Sequence, residues 1–363
     1  MAHRLRILLT VLTVLAAGLA GGAGPAAAAP APIALRYEVI ELATLGGPSS
    51  FALDVDEGGR AVGNAAVASG RLHAVVWDRA GNPRDLGILA GSNDFSRAYA
   101  VAGGLVVGES DNDSPRAFRT TVDPGPLEQL GTLGGATAVA HGVNADGMVV
   151  GASSNGSASR PFALLAGASD PVDLGSLDGR TTTPGRAWAV SEGGAVAGVS
   201  RNTAGVGQAT RWRLHNGVRG PRLGAPEALV APIDGTGFSQ GFAIDGQRRV
   251  VGEYAVGTDY RAVQWSREGT PRPLDSLGRR FARANDIAGG VTVGHVSGFY
   301  GFPTVDGRAV AWFGDQAVDL NTRIEPATGW VLRSVEGRNA AGEMVGFGTR
   351  DGQSRAFLLV PVV

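Results

Sequence analysis

Seven times along this chain a short apolar step, Val-Val in its cleanest form, runs into a glycine: Gly63, Gly108, Gly151, Gly198, Gly252, Gly294 and Gly346. Neighbouring copies lie 45, 43, 47, 54, 42 and 52 residues apart. A period of this length, varied only by insertions, is the mark of a repeat architecture, in which each copy buries its apolar face only against the next. The period lies in the range of four-stranded propeller blades, and seven is a common blade number.

The clearest copy opens at Leu130-Gly131-Thr132-Leu133-Gly134-Gly135 and continues through Ala140-His141-Gly142-Val143-Asn144-Ala145-Asp146-Gly147. It then reads Met148-Val149-Val150-Gly151-Ala152-Ser153 and closes on Arg160-Pro161-Phe162-Ala163-Leu164. Each copy divides into four short strands separated by turn residues. Strand one is an Ala-x-x-Val segment such as Ala98 to Val101, followed by a tight turn on Asp56, Asn144, Ser191, Asp245 or Asn339. Small polar side chains and Gly tolerate the positive φ such turns need. Strand two carries the register glycine. Strand three often ends in Trp, at Trp77, Trp212, Trp265 and Trp312, and strand four reads Asp-Leu-Gly-x-Leu at Asp85 to Leu89 and Asp173 to Leu177.

The chain ends carry a second signal. Tyr37 to Leu42 reads as a spare fourth strand, and the chain stops just after a third strand, Arg355 to Leu359. The fold expected is therefore all-β, a seven-bladed β-propeller of four-stranded antiparallel blades, closed by the N-terminal strand inside the last blade. A signal segment at 1–28, a short linker at 29–36 and one domain at 37–363 complete the expected organisation.

These motifs resemble the HAF-repeat family of extracellular bacterial repeat proteins, named for a His-Ala-Phe step after Leu-Gly-x-Leu-Gly-Gly and Val-Val-Gly-x-Ser segments. The corresponding steps in this chain are His73-Ala74-Val75, Arg116-Ala117-Phe118 and Arg355-Ala356-Phe357, so no copy has the full tripeptide. The resemblance spans essentially the whole mature chain and implies a secreted, propeller-like fold. It implies no activity and supplies no catalytic residues.

Arg4 and Arg6 precede an apolar run from Ile7 to about Ala17 and small residues up to Ala29, the three-part pattern of a secretory signal. No later run of 18 or more apolar residues occurs, so no membrane span is expected. The absence of Cys excludes disulfides, thiol chemistry and Cys-ligated metal, and the absence of Lys excludes a Lys nucleophile or Schiff base. The net charge of -1 gives no positive field for a phosphate polymer, so nucleic acid is not an expected partner.

Several residues invite a functional reading and have a plainer one. The basic position before strand three, Arg116, Arg160, Arg261, Arg308 and Arg355 with His73 and Gln208 in the other copies, recurs in register with the fold. Pairing with a turn carboxylate or carbonyl explains it better than a ring for an anionic polymer. Gly237-Phe238-Ser239-Gln240-Gly241 matches the G-x-S-x-G elbow, but falls on a strand where that motif needs a strand-to-helix turn. His73, His141 and His295 lie in different repeats with no carboxylate at ligand spacing, so no metal and no cofactor are expected. Asp54-Val55-Asp56-Glu57-Gly58 reads as an ordinary turn.

The aromatic residues outside the repeat register are Tyr254, Tyr260, Phe299, Tyr300, Phe302 and Trp330, and they fall in long loops of the fifth to seventh repeats. Alternating strand direction puts those loops on one face. The function expected is a secreted, monomeric, non-catalytic binding or scaffold module recognising a glycan, peptide or protein there. The alternative is an extracellular lyase or hydrolase built on an axial His and carboxylate, discriminated by whether such a His meets an Asp or Glu.

Overall fold

The computed structural model describes residues 36–362 except 112, 218–219, 233–236 and 302–305, with the backbone alone for the rest of 215–222. The expected signal segment lies outside the described residues. Those described form strands and two short 3-10 turns, Leu320–Arg323 and Pro326–Thr328, and no α-helix.

Each repeat folds as an antiparallel meander in chain order. The second, for example, pairs Ser96–Ala102, Leu105–Ser110, Arg116–Thr121 and Glu128–Gln129. The pairing gives six sheets, one of which has eight strands and resolves into two meanders joined at Tyr260 and Phe281. The expected fourth strands begin earlier than their motif: Pro83–Gly87 and Val172–Asp173. The Asp-Leu-Gly step ends the strand because Gly87 and Gly175 adopt positive φ, which turns the chain away.

The seven inner strands are Gly46–Val55, Ser96–Ala102, Ala138–Val143, Gly185–Val190, Ser239–Ile244, Phe281–Ala288 and Trp330–Arg338. Each packs against its successor, and Trp330–Arg338 packs against Gly46–Val55. At that last seam Asn339 Nδ2 donates to Asp56 O at 3.0 Å, and Ser50 Oγ accepts from Ala356 N at 2.9 Å while donating to Leu42 O at 2.8 Å. The N-terminal strand Arg36–Leu42 pairs antiparallel with Gln353–Val362, from Arg36 opposite Val362 to Leu42 opposite Ala356.

The register glycines have a steric cause. Every inner strand slips by one residue against its partner, as between Ala98 and Ala100 or Ala140 and Gly142, which is a β-bulge. At the slip the inner-strand carbonyl comes so close that a Cβ on Gly151 would lie 2.0 Å from Val139 O. The same approach recurs at all seven register glycines, at 1.9–2.0 Å.

Trp77, Trp212, Trp265 and Trp312 are fully buried at the seams, and each indole donates to a carbonyl of the segment entering its repeat: Ala43, Gly175, Val230 and Asp275. The basic position before strand three is internally paired. Arg160 Nε binds Asp173 at 3.0 Å, Arg308 binds Asp319 at 2.8 Å, Arg355 binds Glu41 at 3.1 Å, and His73 sits between Asp85 and Asp94. Ser239 of the G-x-S-x-G match is buried in an inner strand, its Oγ accepting from Ala209 N at 3.0 Å.

Candidate functional site

The seven bulges converge on one place. Each leaves one inner-strand residue unpaired, and these are Leu53, Tyr99, His141, Trp188, Phe242, Asn285 and Glu336. All seven line a single cavity of about 670 Å³. The irregularity shared by all seven repeats thus aims a different side chain from each at a common space, while Gly46–Val55 and Trp330–Arg338 each carry a second slip elsewhere.

One wall is a continuous arc of rings. Tyr99 meets His141 with centroids 5.0 Å apart, His141 meets Trp188 at 4.5 Å, and Trp188 meets Phe242 at 5.7 Å. Guanidinium groups lie on it: Arg97 5.6 Å from the Tyr99 centroid, Arg186 4.9 Å from Trp188, and Arg283 3.6 Å from Phe242. The Arg97 guanidinium also donates to Tyr99 Oη at 3.1 Å, and Tyr99 Oη donates to Glu109 at 2.7 Å. Burial pushes the Tyr99 hydroxyl up to about 12.

The opposite wall is carboxylate and amide. Asp54 accepts from Val55 N and from Val101 N of the next repeat, both at 2.8 Å, and Asp286 accepts from Ile287 N and Arg338 N, both at 2.7 Å. These two stitch neighbouring inner strands together. Burial, with Asp286 nearby, lifts the Asp54 carboxyl to about 8. Glu336 accepts from Ser334 Oγ and from Asn285 Nδ2, the latter at 3.0 Å. Burial raises it to about 7, with Arg283 and the Ser334 hydroxyl pulling the other way.

His295 approaches this group indirectly. Its Nδ1 lies 3.1 Å from Ser334 Oγ, which is also hydrogen-bonded to Glu336. Burial lowers His295 to about 3, which keeps it neutral. Ser334 stands between the His and the Glu and is itself buried and fully hydrogen-bonded. A nucleophile needs the His between it and the acid, so this order does not activate Ser334. His141 meets no carboxylate: both its ring nitrogens are buried without a hydrogen-bond partner, and burial holds its pKa well below the usual range.

The pH response of this wall follows from the signs. The folded state holds the Glu336 proton up to about 7, above the ordinary value of 4.5, so its contribution to stability is full below 4.5 and is lost as pH rises to 7. His295, depressed to about 3, works in reverse and costs stability as pH falls below 6.5. Urea unfolding of Glu336→Gln and wild type between pH 4.5 and 7 should therefore diverge by up to ~1.4 kcal/mol per pH unit. Parallel curves would place the carboxyl in an ordinary environment.

The loop aromatics divide. Tyr254 is only 5% exposed and Trp330 only 8% exposed, which removes both from any contact surface. The reading of these as loop residues fails because the strands run further than their motifs: Val250–Val256 carries Tyr254 into the seam with Trp265, and Trp330 opens an inner strand against Phe357 at 5.9 Å. Phe302 lies outside the described residues. Phe299 and Tyr300 are 67% and 64% exposed. Tyr300 stacks on Tyr260 at 4.7 Å and tilts against Phe281 at 5.6 Å, while Phe238 meets Tyr260 edge-on at 6.0 Å. Sequence reasoning missed Phe238 and Phe281, which join only through the Tyr260–Phe281 pairing of two repeats.

Beside this cluster lies a smaller cavity of about 190 Å³, lined by Glu253, Tyr260, Phe281, Arg283, His295 and Tyr300 among others. Arg283 lines both cavities. The burial of Glu253 raises its pKa, and Gln240 Nε2 donates to it at 2.8 Å. Among the described residues no cluster of His, Asp and Glu could hold a metal ion, and no helix is long and apolar enough to cross a membrane.

No protein-family model matches the sequence and no curated protein matches it. Solved structures do resemble the fold. The β-propeller domain of the Trilobed protease from Pyrococcus furiosus aligns with a TM-score of 0.50 at 8% identity, over 86% of this chain and 96% of that one. A puromycin-hydrolyzing peptidase from Mycobacterium tuberculosis aligns with a TM-score of 0.52 at 15% identity, over 85% of this chain. TolB from Acinetobacter baumannii aligns with a TM-score of 0.46 at 13% identity, over 83% of this chain. The chain spans 52% of the length of the peptidase and 65% of that TolB. Likeness at such identities shows fold alone, and the fold is an all-β propeller.

Proposed function

We propose that this protein is a secreted, monomeric, non-catalytic binding module: a seven-bladed propeller, closed by its N-terminal strand, that takes a glycan at its axis and on the aromatic face of the fifth and sixth repeats. One observation carries the reading. Five buried polar atoms without a hydrogen-bond partner, His141 Nδ1 and Nε2, Trp188 Nε1, Arg283 Nε and Asn285 Oδ1, belong to residues lining the axial cavity. Each such atom costs ~1–3 kcal/mol, and a fold that gathers them in one place recovers that cost when a ligand supplies the partners.

A hydroxyl is the ligand group best suited to them, since it gives and accepts and so satisfies the Trp188 N–H and the Asn285 carbonyl alike. A peptide amide has fixed polarity and would need a set register. Export is supported by the signal-like segment at 1–28. The test is a glycan and peptidoglycan-fragment array with the mature protein, followed by Tyr300→Ala and Phe299→Ala. The double variant should weaken binding about tenfold, or ~1.4 kcal/mol. Undiminished affinity would remove the loop face from the site.

A further inference from the structure

Arg283 joins the two cavities, and it is chemically unusual in this protein. Its guanidinium carbon lies over the Phe242 ring, 3.6 Å from the centroid, and the group makes no hydrogen bond or ion pair among the described residues. Most arginines at the repeat positions are consumed by carboxylates or carbonyls, as Arg160, Arg308 and Arg355 are. A guanidinium seated on an aromatic face keeps its N–H edges in the plane of the group, directed outward, which is the fork that takes a carboxylate with two parallel hydrogen bonds. Arg186 repeats the arrangement on Trp188 at 4.9 Å, also with no hydrogen bond or ion pair among the described residues.

The surroundings fix the rest of the ligand. On one side of Arg283 stands the exposed Tyr300, stacked on Tyr260. On the other runs the ring arc from Phe242 through Trp188 to His141, with the unpartnered Asn285 carbonyl lining the same cavity. A ring that offers an apolar C–H face fits each end, and an anionic group fits the middle. The two carboxyls that feel the Arg283 charge, Glu253 and Glu336, are hydrogen-bonded elsewhere, by Gln240 and by Ser334 with Asn285.

Resting on the binding reading above, we propose that the ligand is an acidic oligosaccharide. A carboxylate of it is clamped by Arg283, with one sugar ring stacked on Tyr300 at the loop face and the terminal ring held in the axial cavity against Trp188 and His141. Such a ligand enters by its end, so the site reads a chain terminus together with the unit behind it.

Calorimetric titration with trimers of galacturonic, mannuronic and glucuronic acid, each beside its methyl ester, tests this directly. At least one acid trimer should bind ten or more times tighter than its ester. Arg283→Gln should reduce that ratio below twofold; because it also removes the guanidinium from the Phe242 ring and from the field of Glu253 and Glu336, the ratio is read at a temperature where thermal unfolding shows the variant fully folded. Tyr300→Ala should weaken the trimer about fivefold while leaving the matching monomer unchanged, which separates the two subsites. Esters binding as tightly as acids, or a ratio that survives Arg283→Gln, overturns the anionic ligand but leaves glycan binding standing. Binding of a peptide library with no saccharide binding overturns both.

Discussion

Replacing Gly151 by Ala is expected to cost several kcal/mol and to leave little folded protein. The added Cβ would sit 2.0 Å from Val139 O and 3.0 Å from Ala140 Cα, where the neighbours are backbone atoms of the inner strand and cannot swing aside. Phe162 is also within 2.9 Å. Overpacking of side chains typically costs ~1–3 kcal/mol, and a backbone clash inside a bulge exceeds that because the relief is to abolish the bulge. Doing so would shift Val139 and Ala138 by one residue and turn His141 out of the axial cavity. Urea unfolding measures the stability loss, and Gly156→Ala is the control: that glycine has no atom within 4 Å but a φ of +87°, so it should cost only ~1 kcal/mol of backbone strain. Equal losses in the two variants would show that the close approach at Gly151 is absorbed.

The glycines are visible in the sequence as a period, and with its turn residues that period locates the inner three strands of each repeat, the tryptophans that end strand three and the arginines before it, but not where the strands stop. The reason for the glycines was not visible. A bulge adds no residue type and no spacing change, and the residues it extrudes have nothing in common: Leu53, Tyr99, His141, Trp188, Phe242, Asn285 and Glu336 read as noise in the repeat. That is why patterned chemistry points to a shared central space without identifying the residues that line it. Repeats preserve what the fold needs and vary where each copy faces the shared space, so the irregular column of a regular repeat is the place to look. The loop aromatics failed in the opposite way. Tyr254 and Trp330 broke the register and drew attention, yet strands longer than their motifs carried both into seams. Tyr260 and Tyr300 gained their meaning from Phe281, a residue that only the contact between two repeats brings beside them.

Deleting Arg36–Leu42 should unravel the molecule rather than trim it. The segment pairs with Gln353–Val362 at seven residue positions, and removing it exposes that whole strand edge. It also takes Leu42 and Tyr37 out of two different buried clusters, one shared with the first repeat and one with the sixth and seventh. At ~1.5–3 kcal/mol for each large apolar side chain, and with the hydrogen bonds of the pairing lost as well, the deletion exceeds the ~5–15 kcal/mol margin of an ordinary domain only if the loss spreads. It spreads because Leu42 O accepts the Ser50 hydroxyl that in turn receives Ala356 N, so the first and seventh repeats lose their common latch. Each repeat buries its face only against its neighbours, so opening one seam exposes both flanking cores. The expected result is aggregation or a non-cooperative transition, read by size-exclusion chromatography and thermal unfolding. Supplying residues 36–42 as a separate peptide should restore cooperative unfolding to the deleted protein. A truncated chain that stays monomeric and melts within a few degrees of wild type would show that the N-terminal strand decorates the last repeat instead of closing the ring.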